Sequence, residues 1–300
     1  MCALCLPISR KKTRGLRTRM RLKIQRFDPE AQMKPHRIAL FIGRRGTGKS
    51  KLMEDIMYRI KDKVDFGLCM TPTEETAAMF RSHVPDAWVY DGFSTSKLEQ
   101  MIAMQRVAVA KGKEKALFLI TDDCGFDRSA FKGKGIRDLF MNGRHVRISY
   151  LNAMQYCMDV TPDLRTQIDY VFCLKESIIS NKQKLWKSFF GMFERYDDFS
   201  RTMDRCTDHY SCLVLDQTSP TSRIEDCVFW YRADVNLPPF KLGKPVFHKL
   251  ATKHAKSAAQ RSREMEVHVA MPVDRRVTQV ERTDARGKVL PEDRAPVIIE

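Results

Sequence analysis

Residues 43–50 bring together three glycines, a lysine and two hydroxyl side chains in one short stretch. Glycines let the backbone turn so that several N–H groups face one anion, and a lysine can then reach the outer phosphates of a nucleoside triphosphate. The order of residue types matches GxxxxGK[ST], the pattern of a phosphate-binding loop between a strand and a helix. We therefore predict that ATP binds to Gly43, Arg44, Arg45, Gly46, Thr47, Gly48, Lys49 and Ser50.

Two adjacent carboxylates, Asp122 and Asp123, follow the apolar run KALFLIT. ATP hydrolysis needs Mg²⁺ beside the phosphates and a group that orients or deprotonates the attacking water. We predict that Ser50 ligates Mg²⁺ and that Asp122 holds it through its water shell. Asp123 would act on the water, and Lys49 would contact the β- and γ-phosphates. Such an aspartate pair could instead cap a helix or a turn.

A further polar side chain, Gln155, stands at the end of the run RISYLNAM. At the end of a strand it could sense the γ-phosphate or help to hold the attacking water, and we include it among the predicted catalytic residues. A glutamine in such a position is commonly just exposed to solvent. The prediction therefore depends on the phosphate loop and on the two aspartates.

These side chains need a scaffold that brings strand ends to one edge of a sheet. The strand-like run RIALFIG leads into the phosphate loop, and KSKLMEDIMYRI follows it with helical spacing. We predict an α/β fold with a mostly parallel central sheet flanked by helices. The other predicted strands are FGLCM, AWVY, KALFLIT, RISYLNAM, DYVFCL, CLVLD and CVFWY, and EETAAMFRSH and TSKLEQMIAMQRVAVAKGK are compatible with helices between them.

Charge and cysteine content narrow the class of partner and the compartment. The 300 residues carry 53 Lys and Arg against 37 Asp and Glu, a net charge of +16, which favours a polyanionic partner such as nucleic acid and, second, an anionic membrane. Nine cysteines without a disulfide-like spacing fit a reducing compartment. Because no apolar run is long enough to span a bilayer and no secretory signal is evident, we expect an intracellular protein.

Composition also divides the chain into three parts. Residues 10–26 carry nine Lys or Arg and no acidic residue, so we predict a basic and flexible arm over residues 1–33. This arm could bind a polyanion or be merely solvated. Residues 34–250 form the predicted nucleotide-binding domain. From residue 251 to 300 the chain loses its periodicity and becomes rich in charge and proline, which predicts a poorly ordered tail.

The motifs, taken in order, resemble a known family. The segments GRRGTGKS, LFLITDDCG and MNGRHVRISYLNAMQYCMDVTPDLRTQIDYVFCLKE resemble the poxvirus-type genome-packaging ATPases of large double-stranded DNA viruses, within the FtsK/HerA class of DNA-pumping motors. The later segment FWYRADVNLPPFKLGKPVF is similar to the closing strand of that family. The resemblance covers about residues 34–249 and leaves both ends of the chain uncovered.

The resemblance implies a RecA/FtsK-like P-loop ATPase that translocates double-stranded DNA into a capsid. It also implies a ring, usually hexameric, in which an arginine of one subunit contacts the γ-phosphate bound to its neighbour; Arg144 is the first candidate and Arg165 the second. Capsid or portal-like proteins would be further partners, in the host cytoplasm or the virion. The wider class often has Asp-Glu where this chain has Asp122-Asp123, which leaves the geometry of the base open.

Two other functions compete with a DNA motor. A P-loop nucleotide or small-molecule kinase would transfer the γ-phosphoryl group to an acceptor, but no acceptor signature is evident. A GTPase-like switch would need NKxD, and residues 181–184 read NKQK.

Two residue sets outside the motifs have more than one interpretation. The spacing of Cys206, His209 and Cys212 could suit zinc, although reduced cysteines beside strands are the simpler interpretation. The second set consists of aromatic residues at helical spacing, which predict a core or subunit contact more than a DNA contact. They are Trp186, Phe189, Phe190, Phe193 and Tyr196.

Overall fold

The computed structural model describes residues 22–124 and 133–253. Most of the predicted basic arm and the charged tail from residue 254 lie outside the described residues. Within the described ranges, no helix is both long and apolar enough to cross a membrane.

A nine-stranded sheet forms the centre of the fold, in the order β1-β9-β8-β7-β2-β6-β5-β3-β4. The pairings are parallel except that β8 runs antiparallel to both β7 and β9. The carboxyl ends of the parallel strands therefore meet at one edge of the sheet. The strands are β1 Gln25–Arg26, β2 Ile38–Ile42, β3 Phe66–Thr71, β4 Val89–Asp91, β5 Leu117–Asp122, β6 Ile148–Met154, β7 Tyr170–Cys173, β8 Ser211–Asp216 and β9 Val228–Arg232.

Helices connect most of the strands and cover both faces of the sheet. The two helices predicted from KSKLMEDIMYRI and EETAAMFRSH have the predicted bounds, as α2 and α3. The helices are α1 Pro29–Gln32, α2 Lys49–Ile60, α3 Glu74–His83, α4 Thr95–Ala110, α5 Lys134–Asn142, α6 Pro162–Arg165, α7 Ile179–Phe189, α8 Tyr196–Cys206, α9 Ile224–Cys227 and α10 Pro245–Lys253.

The central strands are buried on both faces, which is why they read as continuous apolar runs. Alternate residues of β2 enter two separate cores: Leu40 lies in the one that includes residues of α4, α5, α7 and α8, and Phe41 in the one that includes residues of α2 and α3. The phosphate loop, residues 43–50, joins β2 to α2 and so lies at the carboxyl edge of the sheet.

The aromatic residues at helical spacing belong to the hydrophobic core. Phe189, Phe190 and Phe193 are buried, and the ring centroids of Phe190 and Phe199 are 5.0 Å apart. Trp186 is partly buried and donates its indole N–H to the carbonyl oxygen of Phe193 at 2.9 Å. The prediction of core packing is therefore confirmed for these side chains.

Two features of the sheet differ from the sequence-based expectation. The run CLVLD forms β8, which is antiparallel rather than parallel to its neighbours, because the chain re-enters the sheet from the carboxyl edge. Residues 25–26, which we assigned to the flexible arm, form β1 and pair with β9. Phe27 follows them and is 1% exposed, so ordered structure begins before the expected boundary at residue 34.

Candidate nucleotide-binding site

The phosphate loop has the backbone that its glycines predict. Gly46 and Gly48 have φ values of +77° and +93°, in the left-handed region that glycine adopts at little cost. Gly43 is tightly enclosed, since a Cβ there would lie 2.7 Å from Thr47 Oγ1 and 3.0 Å from Leu174 Cβ. Glycine is therefore favoured at Gly46 and Gly48 by the backbone conformation and at Gly43 by the lack of space for a Cβ atom.

The first turn of α2 points its free N–H groups at the loop. Gly48 is the N-cap, and within the described part of the chain no side chain caps this helix. Uncapped amides at a helix N-terminus, with the positive end of the helix dipole, form a site for phosphate oxygens. Lys49 and Ser50 are in this first turn, and the side chains of Arg44 and Arg45 are exposed at the front of the loop.

Asp122 lies at the end of β5 and faces Lys49. The Lys49 Nζ atom is 3.8 Å from Asp122 Oδ1, and Asp122 Oδ2 accepts a hydrogen bond from Thr76 Oγ1 at 2.9 Å. Burial raises the pKa of Asp122, and the Lys49 ammonium partly offsets this effect. Among the described residues, Oδ1 is a buried acceptor without a hydrogen-bond donor. This oxygen therefore faces the Lys49 ammonium and can still accept a hydrogen bond at the phosphate loop.

Asp123 and Gln155 meet beside the loop. The Gln155 Nε2 atom donates to both carboxylate oxygens of Asp123, at 3.0 and 2.8 Å. Asp123 itself has a φ of +52°, an uncommon conformation for an aspartate, and Arg45 Nη2 is 3.9 Å from its Oδ2. The hydrogen bonds from Gln155 fix the orientation of the Asp123 carboxylate beside the loop.

The structure does not bring Arg144 to the phosphate loop of its own chain. Arg144 Nη2 bonds Asp169 Oδ1 at 2.6 Å, and Asp169 Oδ2 accepts from the N–H of Ile38, the first residue of β2. The loop follows the last residue of β2, so Arg144 lies at the opposite edge of the sheet, about 15 Å away along a strand of this length. Burial raises the pKa of Asp169, and the Arg144 and Arg37 guanidinium groups oppose this effect.

Arg165, the second candidate, is held inside its own chain. Its Nε donates to the carbonyl oxygen of Val160 at 2.9 Å, and its Nη1 donates to Ser188 Oγ at 3.2 Å. These contacts fix it between the end of β6 and α7. Within the described part of the chain, Arg165 makes no contact with the phosphate loop.

Two residues of the site had no signal in the sequence. Thr76 lies on α3, 46 positions before Asp122, and nothing in EETAAMFRSH indicates that its hydroxyl would hold a carboxylate. Leu174 follows β7 and packs under Gly43. Both contacts depend on strand order, which periodicity alone does not reveal.

The possible zinc ligands do not form a cluster. Within residues 22–124 and 133–253, no three His, Cys, Asp or Glu side chains converge on a common point. Burial raises the pKa of the Cys206 thiol to about 11 and also raises that of Cys212, so both favour the protonated form that does not bind metal.

The fold and the site together define a P-loop NTPase of the α/β class, with its phosphate loop, lysine and paired aspartates at the carboxyl edge of a mostly parallel sheet. The family model described as "Poxvirus A32 protein" matches residues 24–190. The chain belongs to this family.

Uncharacterised viral proteins are similar to this chain over much of its length. Protein L437 of Acanthamoeba polyphaga mimivirus is 32% identical over 204 residues, covering 65% of this chain and 72% of that protein. Protein 088R of Invertebrate iridescent virus 3 is 32% identical over 205 residues, covering 67% and 78%. The solved genome packaging NTPase B204 of Sulfolobus turreted icosahedral virus 2 in complex with AMPPCP covers 67% of this chain and all of its own, with 14% identity and a TM-score of 0.49.

Proposed function

We propose that this chain is an ATP-hydrolysing motor that moves double-stranded viral DNA into a capsid. The observation that carries the proposal is the convergence of Lys49, Asp122 and the Asp123–Gln155 pair at the phosphate loop of a Poxvirus A32 family member. The net charge of +16 suits a nucleic-acid partner. Membership of this family does not favour a nucleotide or small-molecule kinase.

Each residue of the site has one task in hydrolysis. The loop amides and Lys49 bind the phosphates and offset the charge that develops on the γ-phosphate. Asp123 orients the attacking water and accepts its proton. Gln155, which bonds both oxygens of Asp123, keeps that carboxylate aimed at the water. Thr76 donates a hydrogen bond to Asp122 and fixes the orientation of that carboxylate in the same way.

The residues around the loop fit a magnesium ion. Asp122 Oδ1 is buried and has no hydrogen-bond donor among the described residues, so it can accept a hydrogen bond from a metal-bound water. Ser50, in the first turn of α2, would supply a direct hydroxyl ligand. When bound, Mg²⁺ would neutralise part of the phosphate charge. Lys49 and Asp122 would position the phosphates and the metal-bound water.

The test is steady-state ATP hydrolysis by the purified protein with and without long double-stranded DNA. DNA should stimulate hydrolysis, and Lys49→Ala and Asp123→Ala should each reduce it about a hundredfold or more, because each removes transition-state stabilisation. Lys61→Ala, at the far end of the same helix, is the matched control and should behave as wild type. An ATP hydrolysis rate that DNA does not change, or transfer of the γ-phosphoryl group to a small acceptor, would contradict the packaging function.

We also propose that the active form is a ring, a hexamer, in which Arg144 completes the site of a neighbouring subunit. Arg144 lies at the opposite edge of the sheet from its own phosphate loop, so it could act only on another subunit. Arg165 is the alternative. Such an arginine typically contributes a factor of about 10³ or more to the rate.

Mixed assemblies test the position of this arginine. Lys49→Ala and Arg144→Ala subunits should each be inactive alone, and mixing them should restore activity at interfaces that join an intact loop to an intact arginine. Arg144→Ala removes one partner of the buried Asp169, which keeps the N–H of Ile38 at 3.0 Å and the Arg37 guanidinium at 3.7 Å. The melting temperature of each variant is measured as well, to show that it is folded. Two folded variants that stay inactive when mixed would exclude Arg144 as the residue acting in trans.

Capsid or portal-like proteins are the proposed docking partners, and the host cytoplasm or the virion is the proposed place of action. Fractionation of infected cells and purified virions, with co-purification of capsid proteins, tests both. Absence of the chain from assembling particles would contradict them.

A further inference from the structure

An exposed tyrosine lies directly on the phosphate loop. Tyr210 immediately precedes β8, whose first residues lie at the carboxyl edge because β8 runs antiparallel to β7. The side chain is 73% exposed, yet its Cδ1 lies 3.3 Å from the position that a Cβ on Gly48 would take. The ring of Tyr210 therefore contacts the phosphate loop on one side and is open to solvent elsewhere.

The backbone that presents this ring is in a disfavoured conformation. His209 and Tyr210 are consecutive residues with φ values of +53° and +61°, a region where residues other than glycine are rare. The ring gains little burial in return, since it is mostly exposed. Lys175 Nζ is 3.6 Å from Asp208 Oδ1 and ties this turn to the end of β7. Disfavoured backbone around an exposed side chain is typical of a site that binds a ligand.

Strand order fixes which part of a nucleotide would meet this ring. The γ-phosphate must face Lys49 and Asp122, and β5, which carries Asp122, lies two strands from β2 on one side. β8, which Tyr210 precedes, lies two strands from β2 on the other side. A nucleotide whose triphosphate occupies the loop therefore directs its base toward β7 and β8.

We propose that Tyr210 is the residue on which the nucleobase of the bound triphosphate stacks. This inference rests on the proposed nucleotide site and adds to it a contact for the base. A flat aromatic ring beside the loop offers a face for any purine, and stacking reads the face of a base rather than its edge. Tyr210 would thus contribute affinity for the nucleoside end while Lys49 and the loop amides hold the phosphates.

The experiment measures dissociation constants by calorimetry for ATP, GTP and inorganic triphosphate, each with Mg²⁺. Tyr210→Ala should weaken ATP and GTP by similar factors, about tenfold, which is the scale of losing one base-stacking contact. Binding of inorganic triphosphate, which has no base, should not change. Tyr210→Phe keeps the ring and should bind all three as the wild type does, whereas Lys49→Ala should lose all three.

Two results would overturn the inference and leave the motor proposal intact. One is unchanged ATP binding by Tyr210→Ala. The other is an equal loss of affinity for ATP and for inorganic triphosphate. That result would mean that the Tyr210 ring supports the conformation of the loop, or a contact with a second copy of the chain, and does not bind the base. Binding does not require hydrolysis or DNA, so a failed motor would not alter this comparison. Wild-type protein that binds neither ATP nor triphosphate would overturn the nucleotide site itself.

Discussion

Asp122, the carboxylate proposed to hold Mg²⁺ through its water shell, lowers the stability of the fold when it is ionised. Burial raises the pKa of its carboxyl group, and Lys49, 3.8 Å away, only partly compensates. A raised pKa means that the folded state favours the protonated form. The stability gained is fully present below the unfolded-state pKa and is lost as pH rises through the folded-state pKa. At neutral pH the ionised carboxylate therefore lowers the stability of the protein.

Asp122→Asn should accordingly raise the free energy of unfolding at neutral pH, by about 1 kcal/mol, since an amide oxygen can still accept from Thr76. The gain should shrink as pH falls toward the range in which the carboxyl group of the wild type is protonated. ATP hydrolysis should fall about a hundredfold. Urea unfolding at several pH values between about 5 and 8 measures how the free energy of unfolding changes with pH.

Asp62→Asn is the control for this experiment, because the side chain of Asp62 is 86% exposed. Its free energy of unfolding should follow that of the wild type at each pH. An Asp122→Asn protein that is less stable than the wild type throughout would show that the Lys49–Asp122 pair is a net stabilising contact.

At the scale of elements, the segment before the phosphate loop is part of the fold. Phe27 is buried, and its ring centroid lies 5.7 Å from that of Phe172 on β7 and 5.6 Å from that of Phe229 on β9. Its N–H donates to the carbonyl oxygen of Trp230 at 2.8 Å. The Phe27 side chain therefore packs the segment after β1 against β7 and β9.

Phe27→Ala should lower the free energy of unfolding by about 3–5 kcal/mol, because it leaves a cavity among aromatic rings. Chemical denaturation measures the loss. Phe27→Leu is the matched variant and should lose much less, since most of the volume is retained. A loss below about 1 kcal/mol for Phe27→Ala would indicate that residues 22–33 belong to a detachable arm, as their composition alone suggests.

Some elements of this fold can be predicted from the sequence alone, and others cannot. The bounds of α2 and α3 follow from helical spacing, and β2 and β5 follow from apolar runs that end in loop or carboxylate residues. The direction of β8 and the existence of β1 could not be predicted, because pairing with distant strands decides both. Strand β1 has only two residues and so has no periodicity.

Some contacts of the site can likewise be predicted from the sequence, and others cannot. The meeting of Gln155 with Asp123 is consistent with two strand ends at one edge, whereas the contact of Thr76 with Asp122 needs the placement of α3. The position of Arg144 had a usable signal, since it precedes β6 and so must lie at the amino edge. Its catalytic role stays a prediction, as do the roles of the other site residues.

For the whole molecule, ATP hydrolysis at residues 43–50 is proposed to move duplex DNA. A net charge of +16 and contact with phosphates at many places would make binding independent of sequence and strongly dependent on salt. Movement, unlike binding, requires ATP turnover. It therefore separates a motor from a protein that merely binds DNA and hydrolyses ATP.

The most direct measurement is displacement of a third-strand oligonucleotide from long duplex DNA by the purified protein with ATP and Mg²⁺. We expect displacement by the wild type and by Lys61→Ala, and none by Asp123→Ala or with a non-hydrolysable analogue, although DNA binding persists. DNA-stimulated hydrolysis without displacement would contradict the claim that this protein is a DNA translocase.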